Sequence, residues 1–88
     1  MKQIDALGHP FVIGAVYGLS HFDESAGLVY TKTGTFQGVK EGFARLKLNR
    51  STIRVLKDNS LFSSDSPYGV IFQVVPYLLF PVVDGLIN

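Results

Sequence analysis

Prolines and glycines interrupt both of the long apolar segments in this chain, which limits the folds that it can adopt. Residues 9–19 contain Pro10, Gly14 and Gly18, and residues 70–83 contain Pro76 and Pro81. Two prolines five residues apart break a helix, and each segment is shorter than the roughly 20 apolar residues that a membrane-spanning helix needs. We therefore expect both segments to pack against the rest of the protein or against a partner.

The composition is that of one small globular domain rather than of a disordered chain. The chain has 88 residues, of which 47% are hydrophobic and 17% are charged. It contains no cysteine, which excludes disulfide bonds, thiolate nucleophiles and cysteine-ligated metal sites. The first residues lack the basic and apolar regions of a signal peptide. We therefore expect an intracellular protein, with an organellar or phage-encoded origin left open.

The positive charges are concentrated in one part of the sequence. Residues 40–57 contain six lysines and arginines and a single acid, Glu41. The rest of the chain carries two lysines against six acids, so the net charge of +1 conceals a basic segment in an acidic chain. Such a segment is typical of proteins that bind phosphate-bearing polymers. The alternative is a solvated surface whose cations keep an apolar protein soluble.

The hydrophobic period indicates a pair of short helices in the basic segment. Val39, Phe43 and Leu46 recur at the spacing of one helix face, which predicts a first helix over residues 39–46. Asn49 can cap a second helix over residues 50–58. Strands are predicted over residues 28–33 and 68–72 from their apolar and β-branched residues. The predicted fold is a small α+β single domain in which short β-strands flank a helix-turn-helix.

A helix-turn-helix of this form would bind duplex DNA through its second helix. The N-terminal turn of such a helix enters the major groove, where arginine and short polar side chains reach base edges. Cations in the turn and at the flanks would lie near phosphates. The pattern alone does not distinguish DNA binding from a solvated helix pair whose charges only keep the protein soluble. The predicted DNA-binding residues are Arg45, Lys47, Asn49, Arg50, Ser51, Thr52, Arg54 and Lys57.

Residues 28–62, closed by residues 68–72, resemble the nuclease-associated modular DNA-binding domains of intron-encoded homing endonucleases. The resemblance centres on residues 46–53, Leu-Lys-Leu-Asn-Arg-Ser-Thr-Ile, and residues 17–25 are similar to a companion module of the same nucleases. The resemblance implies a helix-turn-helix that binds duplex DNA and is separate from its catalytic domain. Gly38, Gly42 and Phe43 depart from the family, which has a serine and two adjacent alanines at these positions.

No group of residues in the sequence indicates catalysis. The acids are scattered apart from Asp23 and Glu24, and Ser51 and Thr52 have no histidine nearby in the sequence to act as a base. We therefore predict a module that is not an enzyme and needs no metal or cofactor. Its predicted partner is double-stranded DNA. A nuclease domain on another chain is a second possible partner.

The predicted organisation has three parts. Residues 1–27 form an apolar, turn-rich segment, residues 28–72 form the DNA-binding module, and residues 73–88 form an apolar tail. The apolar parts leave open an alternative function, that of a small structural or membrane-associated protein in a larger assembly. A membrane is a less favoured partner than double-stranded DNA.

Overall fold

The computed structural model describes residues 4–65 and 69–82, which form one six-stranded antiparallel β-sheet. The order across the sheet is β4-β3-β2-β1-β6, and β5 pairs with the first half of β3 while β4 pairs with the second half. A single 3₁₀ turn, Pro76–Leu78, lies between β5 and β6. The strands are β1 (Val16–Asp23), β2 (Leu28–Lys40), β3 (Phe43–Val55), β4 (Ser60–Asp65), β5 (Ile71–Val74) and β6 (Phe80–Pro81).

The predicted helix-turn-helix is wrong, and the α+β fold class is corrected to an antiparallel β-fold. The segment from residue 39 to residue 58 consists of the end of β2, the two-residue turn at residues 41–42, all of β3 and part of the turn after it. Among the described residues the only helical element is the 3₁₀ turn. Of the three residues assigned to one helix face, Leu46 is fully buried, whereas Val39 and Phe43 are 42% and 44% exposed.

Alternation along β3 explains why this segment forms a strand. Ala44 and Leu46 are completely buried, while Arg45 is only partly buried and Lys47 is exposed. A period of two is what a strand with one face on a hydrophobic core requires. Glycine at position 42 also disfavours a helix here by roughly 1 kcal/mol relative to alanine.

The β2–β3 hairpin closes through Glu41 and Gly42, two residues that were predicted to lie in the first helix. Lys40 pairs with Phe43, so the loop has two residues. Their φ angles are +54° and +84°, and a type I′ turn requires positive φ at both positions. Glycine adopts such an angle readily, whereas glutamate has a Cβ that makes it costly.

Replacing Glu41 with asparagine is expected to stabilise the protein. Asparagine tolerates the left-handed conformation and is the preferred first residue of this turn, so the free energy of unfolding should rise by about 0.5 to 1 kcal/mol. Chemical denaturation measures the change. The matched control is Glu24→Asn in the turn before β2, where φ is not positive and no gain is expected. An equal gain in both variants would contradict the type I′ assignment.

A β-bulge at Asn49 takes the place of the predicted helix cap. Leu48 and Arg50 pair with consecutive residues of β2, so Asn49 is left without a partner in the ladder. Its side-chain Nδ2 donates a hydrogen bond to Thr35 Oγ1 at 3.0 Å. Because one extra residue shifts the alternation, Leu48 and Arg50 lie on opposite faces of the sheet.

The hydrophobic core lies on one side of the sheet, which we call the core face. Phe11, which precedes β1, stacks on Phe36 with the ring centroids 4.6 Å apart. The Tyr17 hydroxyl accepts a hydrogen bond from the Val12 backbone N–H at 2.9 Å. A core this small makes each buried side chain important. The buried hydrophobic residues of the described part are Tyr17, Phe36, Ala44, Leu46 and Leu79.

The other sequence predictions for this region have mixed outcomes. The strand predicted over residues 28–33 is confirmed as the first half of β2. Of the strand predicted over residues 68–72, Tyr68 lies outside the described residues and β5 begins at Ile71. The segment after Pro76 packs against the rest of the protein through Leu79, as expected. Within the described residues, no helix has the length and apolar character needed to cross a membrane.

Candidate functional site

The side of the sheet opposite the core face, which we call the open face, carries a row of hydroxyl groups. Ser20 of β1 pairs with Thr31 of β2, Thr31 pairs with Thr52 of β3, and Thr52 pairs with Ser63 of β4. Residues paired across strands project to the same side, with Cβ atoms about 5 Å apart. The Ser20 Oγ and Thr31 Oγ1 atoms are 3.1 Å apart. We call these four residues the hydroxyl row.

Two arginines flank the hydroxyl row on β3. Arg50 and Arg54 lie two residues before and two residues after Thr52, so all three side chains project from the open face. The surface is concave here and encloses a cavity of about 620 Å³. Thr33, the partner of Arg50 on β2, also lines the cavity. The apolar part of the lining comes from Val29, Leu56, Leu61 and Phe80.

Arg50 forms an ion pair with Asp65 on the neighbouring strand. Its Nε donates to Asp65 Oδ1 at 2.7 Å, and the two side chains are 57% and 70% exposed. The hydrogen bond and the charge of Arg50 lower the pKa of Asp65, and the same contacts raise the pKa of Arg50. Stabilisation from Asp65 is present above the carboxyl pKa of the unfolded chain and is lost as the pH falls through the lowered folded pKa. An exposed pair of this kind contributes little to stability.

Two further cations of β3 project from the same face. Lys47 pairs with Thr35 and Arg50 pairs with Thr33, and these two threonines share one side of β2. Arg45 lies two residues before Lys47 and is partly buried, with its Nε atom inaccessible to solvent and without a hydrogen-bond partner among the described residues. The open face of β3 therefore presents four cations opposite one carboxylate on β4.

The predicted DNA-binding residues are divided by this arrangement. Ser51 projects from the core face, because it pairs with Lys32 on the side opposite the hydroxyl row. Asn49 occupies the bulge, and Lys57 lies in the exposed turn between β3 and β4. None of the eight lies on a helix, so the predicted fit of a helix N-terminus into the major groove does not apply. The open face receives Arg45, Lys47, Arg50, Thr52 and Arg54.

The polar residues that neighbouring strands contribute to the cavity were not among the predicted site residues. Ser20, Thr31, Thr33 and Ser63 all line the cavity beside the arginines. A signal for part of this set was present, since Thr31, Thr33 and Thr35 occupy alternate positions of a β-branched segment. Alternate threonines share one face of a strand.

The chemistry that this face offers is the binding of anions. Guanidinium groups form charge-assisted hydrogen bonds with phosphate and carboxylate oxygens, and hydroxyl groups donate to the same oxygens. The described part of the chain holds no cluster of three or more histidine, cysteine or acidic side chains that could ligate a metal ion.

Comparisons with protein-family models, with curated proteins and with solved structures found no match for this chain. The resemblance to homing-endonuclease modules implied a helix-turn-helix, and that implication is wrong because residues 39–58 are β-structure and turn. The interpretation of function therefore depends on the geometry of the sheet.

Proposed function

We propose that this protein is a non-catalytic nucleic-acid-binding module that contacts the phosphate backbone with the open face of its sheet. The observation that carries the proposal is the hydroxyl row lying between Arg50 and Arg54 on a concave surface. Arginine, serine and threonine side chains are common donors to phosphate oxygens in protein–DNA complexes. Duplex DNA is the ligand for which we develop the proposal.

The spacing of the cations suits a charged polymer better than a single small anion. Arg45 and Arg54 are nine residues apart on one strand, which corresponds to roughly 30 Å at about 3.3 Å per residue. A small ligand in the cavity would contact Arg50 and Arg54 but not Arg45 or Lys47, which are not part of its lining. A backbone with regularly spaced phosphates would reach all four.

The proposed binding is largely independent of sequence. The polar residues of the open face are spread over four neighbouring strands, whereas the elements that enter the major groove are a helix or a two-stranded ribbon. Contacts to phosphates fix position and orientation on the duplex, whereas base-edge contacts are needed to specify sequence. The module would therefore serve to anchor a larger assembly on nucleic acid.

The salt dependence of duplex binding tests the proposal. Neutralisation of up to four phosphates gives a slope of log K against log salt of roughly −3 to −4. Fluorescence anisotropy with a labelled duplex of mixed sequence, measured from low to physiological salt, gives this slope. Absence of binding at low salt, or binding with no salt dependence, would overturn the proposal.

Replacing Asp65 with asparagine is expected to tighten duplex binding. The change removes a negative charge from the open face and ends the competition between Asp65 and a phosphate for Arg50. The affinity should rise several-fold, up to the roughly eightfold that one complete phosphate contact contributes at 0.1 M salt. The matched control is Asp58→Asn, which removes another exposed carboxylate, one that accepts hydrogen bonds from Ser60 in the β3–β4 turn. Unchanged or weaker binding by the Asp65 variant would contradict the assigned role of Arg50.

Exposed apolar side chains favour a second candidate, a structural subunit of a larger assembly. Ile13, Phe62 and Tyr77 are 72%, 61% and 66% exposed. A partner protein would cover such side chains where they share one surface. Analytical ultracentrifugation tests this candidate, which predicts self-association that persists in high salt. A monomer at all concentrations would count against it.

A further inference from the structure

A second cavity lies on the core face, on the other side of the sheet from the arginines. Its volume is about 420 Å³. Its apolar floor consists of Leu19, Phe72 and Val74, which are partly buried and pack against the hydrophobic core. The polar part of the lining comes from Lys32, His21, Tyr30 and Gln73. Cavities of this size, with an apolar floor and a few polar groups, are typical of small-molecule sites.

The position of Phe72 depends on a glycine. Phe72 pairs with Leu46 and lies against Gly34, where an added Cβ would come within 2.9 Å of both the Phe72 ring and Leu46 Cβ. The missing side chain at Gly34 therefore lets the ring lie close to β2. Lys32, two residues before Gly34, holds its ammonium nitrogen 5.7 Å from the centre of the same ring. An apolar surface and a cation are thus placed side by side.

The charge of this site is positive. Among the described residues that line the cavity none is acidic, and Lys32 contributes an ammonium group. Asp23, on the same face of β1, is engaged in its own turn, where it accepts hydrogen bonds from Ser25 and Ala26. An acidic ligand group beside Lys32 would form an ion pair without competition from a lining carboxylate.

We propose that this cavity binds a small carboxylate with an apolar body. The body would cover Leu19, Phe72 and Val74, and the carboxylate would accept hydrogen bonds from the Lys32 ammonium group. Burial of apolar surface supplies most of the affinity, and the charge fixes the orientation of the ligand. The site is independent of the proposed nucleic-acid function, because it lies on the opposite face and shares no lining residue with the open-face cavity.

Titration with three probes of equal chain length tests this site. Octanoate, octanol and octylamine are added below their micellar concentrations to the full-length, isotopically labelled protein, and amide shifts are followed by NMR. Octanoate is expected to give saturable shifts around Leu19, Phe72 and Val74 and to bind about tenfold more tightly than octanol, with octylamine weakest.

Charge removal at Lys32 provides the decisive comparison. Lys32→Gln, an exposed position that should leave the fold intact, is expected to abolish the preference for octanoate over octanol while octanol binding is unchanged. The control Lys40→Gln removes an exposed cation near the hairpin turn and should retain the preference. Shifts that do not saturate, equal affinity for all three probes, or an unchanged preference in Lys32→Gln would each overturn the proposal.

Discussion

Replacing Arg50 and Arg54 together with glutamine is expected to weaken duplex DNA binding by roughly 50-fold at 0.1 M salt. Each phosphate contact contributes roughly 0.9 to the slope of log K against log salt, so the loss of two contacts should also reduce the slope by about 2. The physical reason is that these two guanidinium groups flank the hydroxyl row on one concave surface. Fluorescence anisotropy over a salt series measures both effects.

A matched variant separates a local effect from a change in total charge. Lys32→Gln combined with Lys40→Gln also removes two positive charges. Lys32 lies on the core face, and Lys40 pairs with Phe43 at the hairpin end of the open face, roughly 23 Å along β3 from Arg50. We expect this control to bind within about threefold of the unmodified protein, since distant charges are largely screened at 0.1 M salt. Equal losses in the two double variants would contradict the surface around the hydroxyl row as the binding site. Circular dichroism confirms that both variants remain folded.

Replacing Leu46 with alanine is expected to lower the free energy of unfolding by about 3 to 4 kcal/mol. Leu46 is 0% exposed and lies at the centre of the core face, between β2 and β5. The cost combines lost burial of the side chain with the cavity that remains. A domain of this size has a total stability on the order of 5 to 10 kcal/mol, so the variant should be close to unfolding at physiological temperature. Urea denaturation measures the loss.

The control for this prediction is the same substitution at an exposed site. Leu7 is 60% exposed, and Leu7→Ala should change the free energy of unfolding by less than about 0.5 kcal/mol. Similar losses at the two positions would mean that Leu46 is not the core residue that the fold requires.

Part of the candidate site could be predicted from the sequence because of the spacing of its arginines. Arg50 and Arg54 are four residues apart, which places them on one side of a helix and also on one side of a strand. The two arginines therefore share one side in either fold, and their joint role in binding stays a prediction. Ser51 and Thr52 are adjacent, and adjacent residues of a strand project to opposite faces, so they cannot both belong to the open face.

The predicted helices are wrong because two hydrophobic patterns overlap in the basic segment. Val39, Phe43 and Leu46 match a helical period, but Ala44 and Leu46 with intervening cations match a strand period over the same residues. Burial decides in favour of the second pattern. A two-residue turn of Glu41 and Gly42 was also recognisable in principle, although asparagine rather than glutamate is its usual first residue.

Other features could not be predicted from local sequence. The bulge at Asn49 determines which face Arg50 occupies, yet it depends on the pairing of β3 with β2 over a long sequence separation. The hydroxyl row combines residues from four strands, and its existence depends on the register of three strand pairs. Sequence patterns give the period of a strand but not its neighbours.

Residues 43–55 form a strand, and its Arg50, Thr52 and Arg54 side chains share one face of a four-strand surface. Nuclear Overhauser effects between backbone protons distinguish this arrangement from a helix. The sheet predicts cross-strand effects from Thr52 to Thr31 on one side and to Ser63 on the other. Strong sequential amide–amide effects along residues 50–58, together with effects between residues three apart, would indicate a helix. That result would contradict the strand and the shared face of the two arginines.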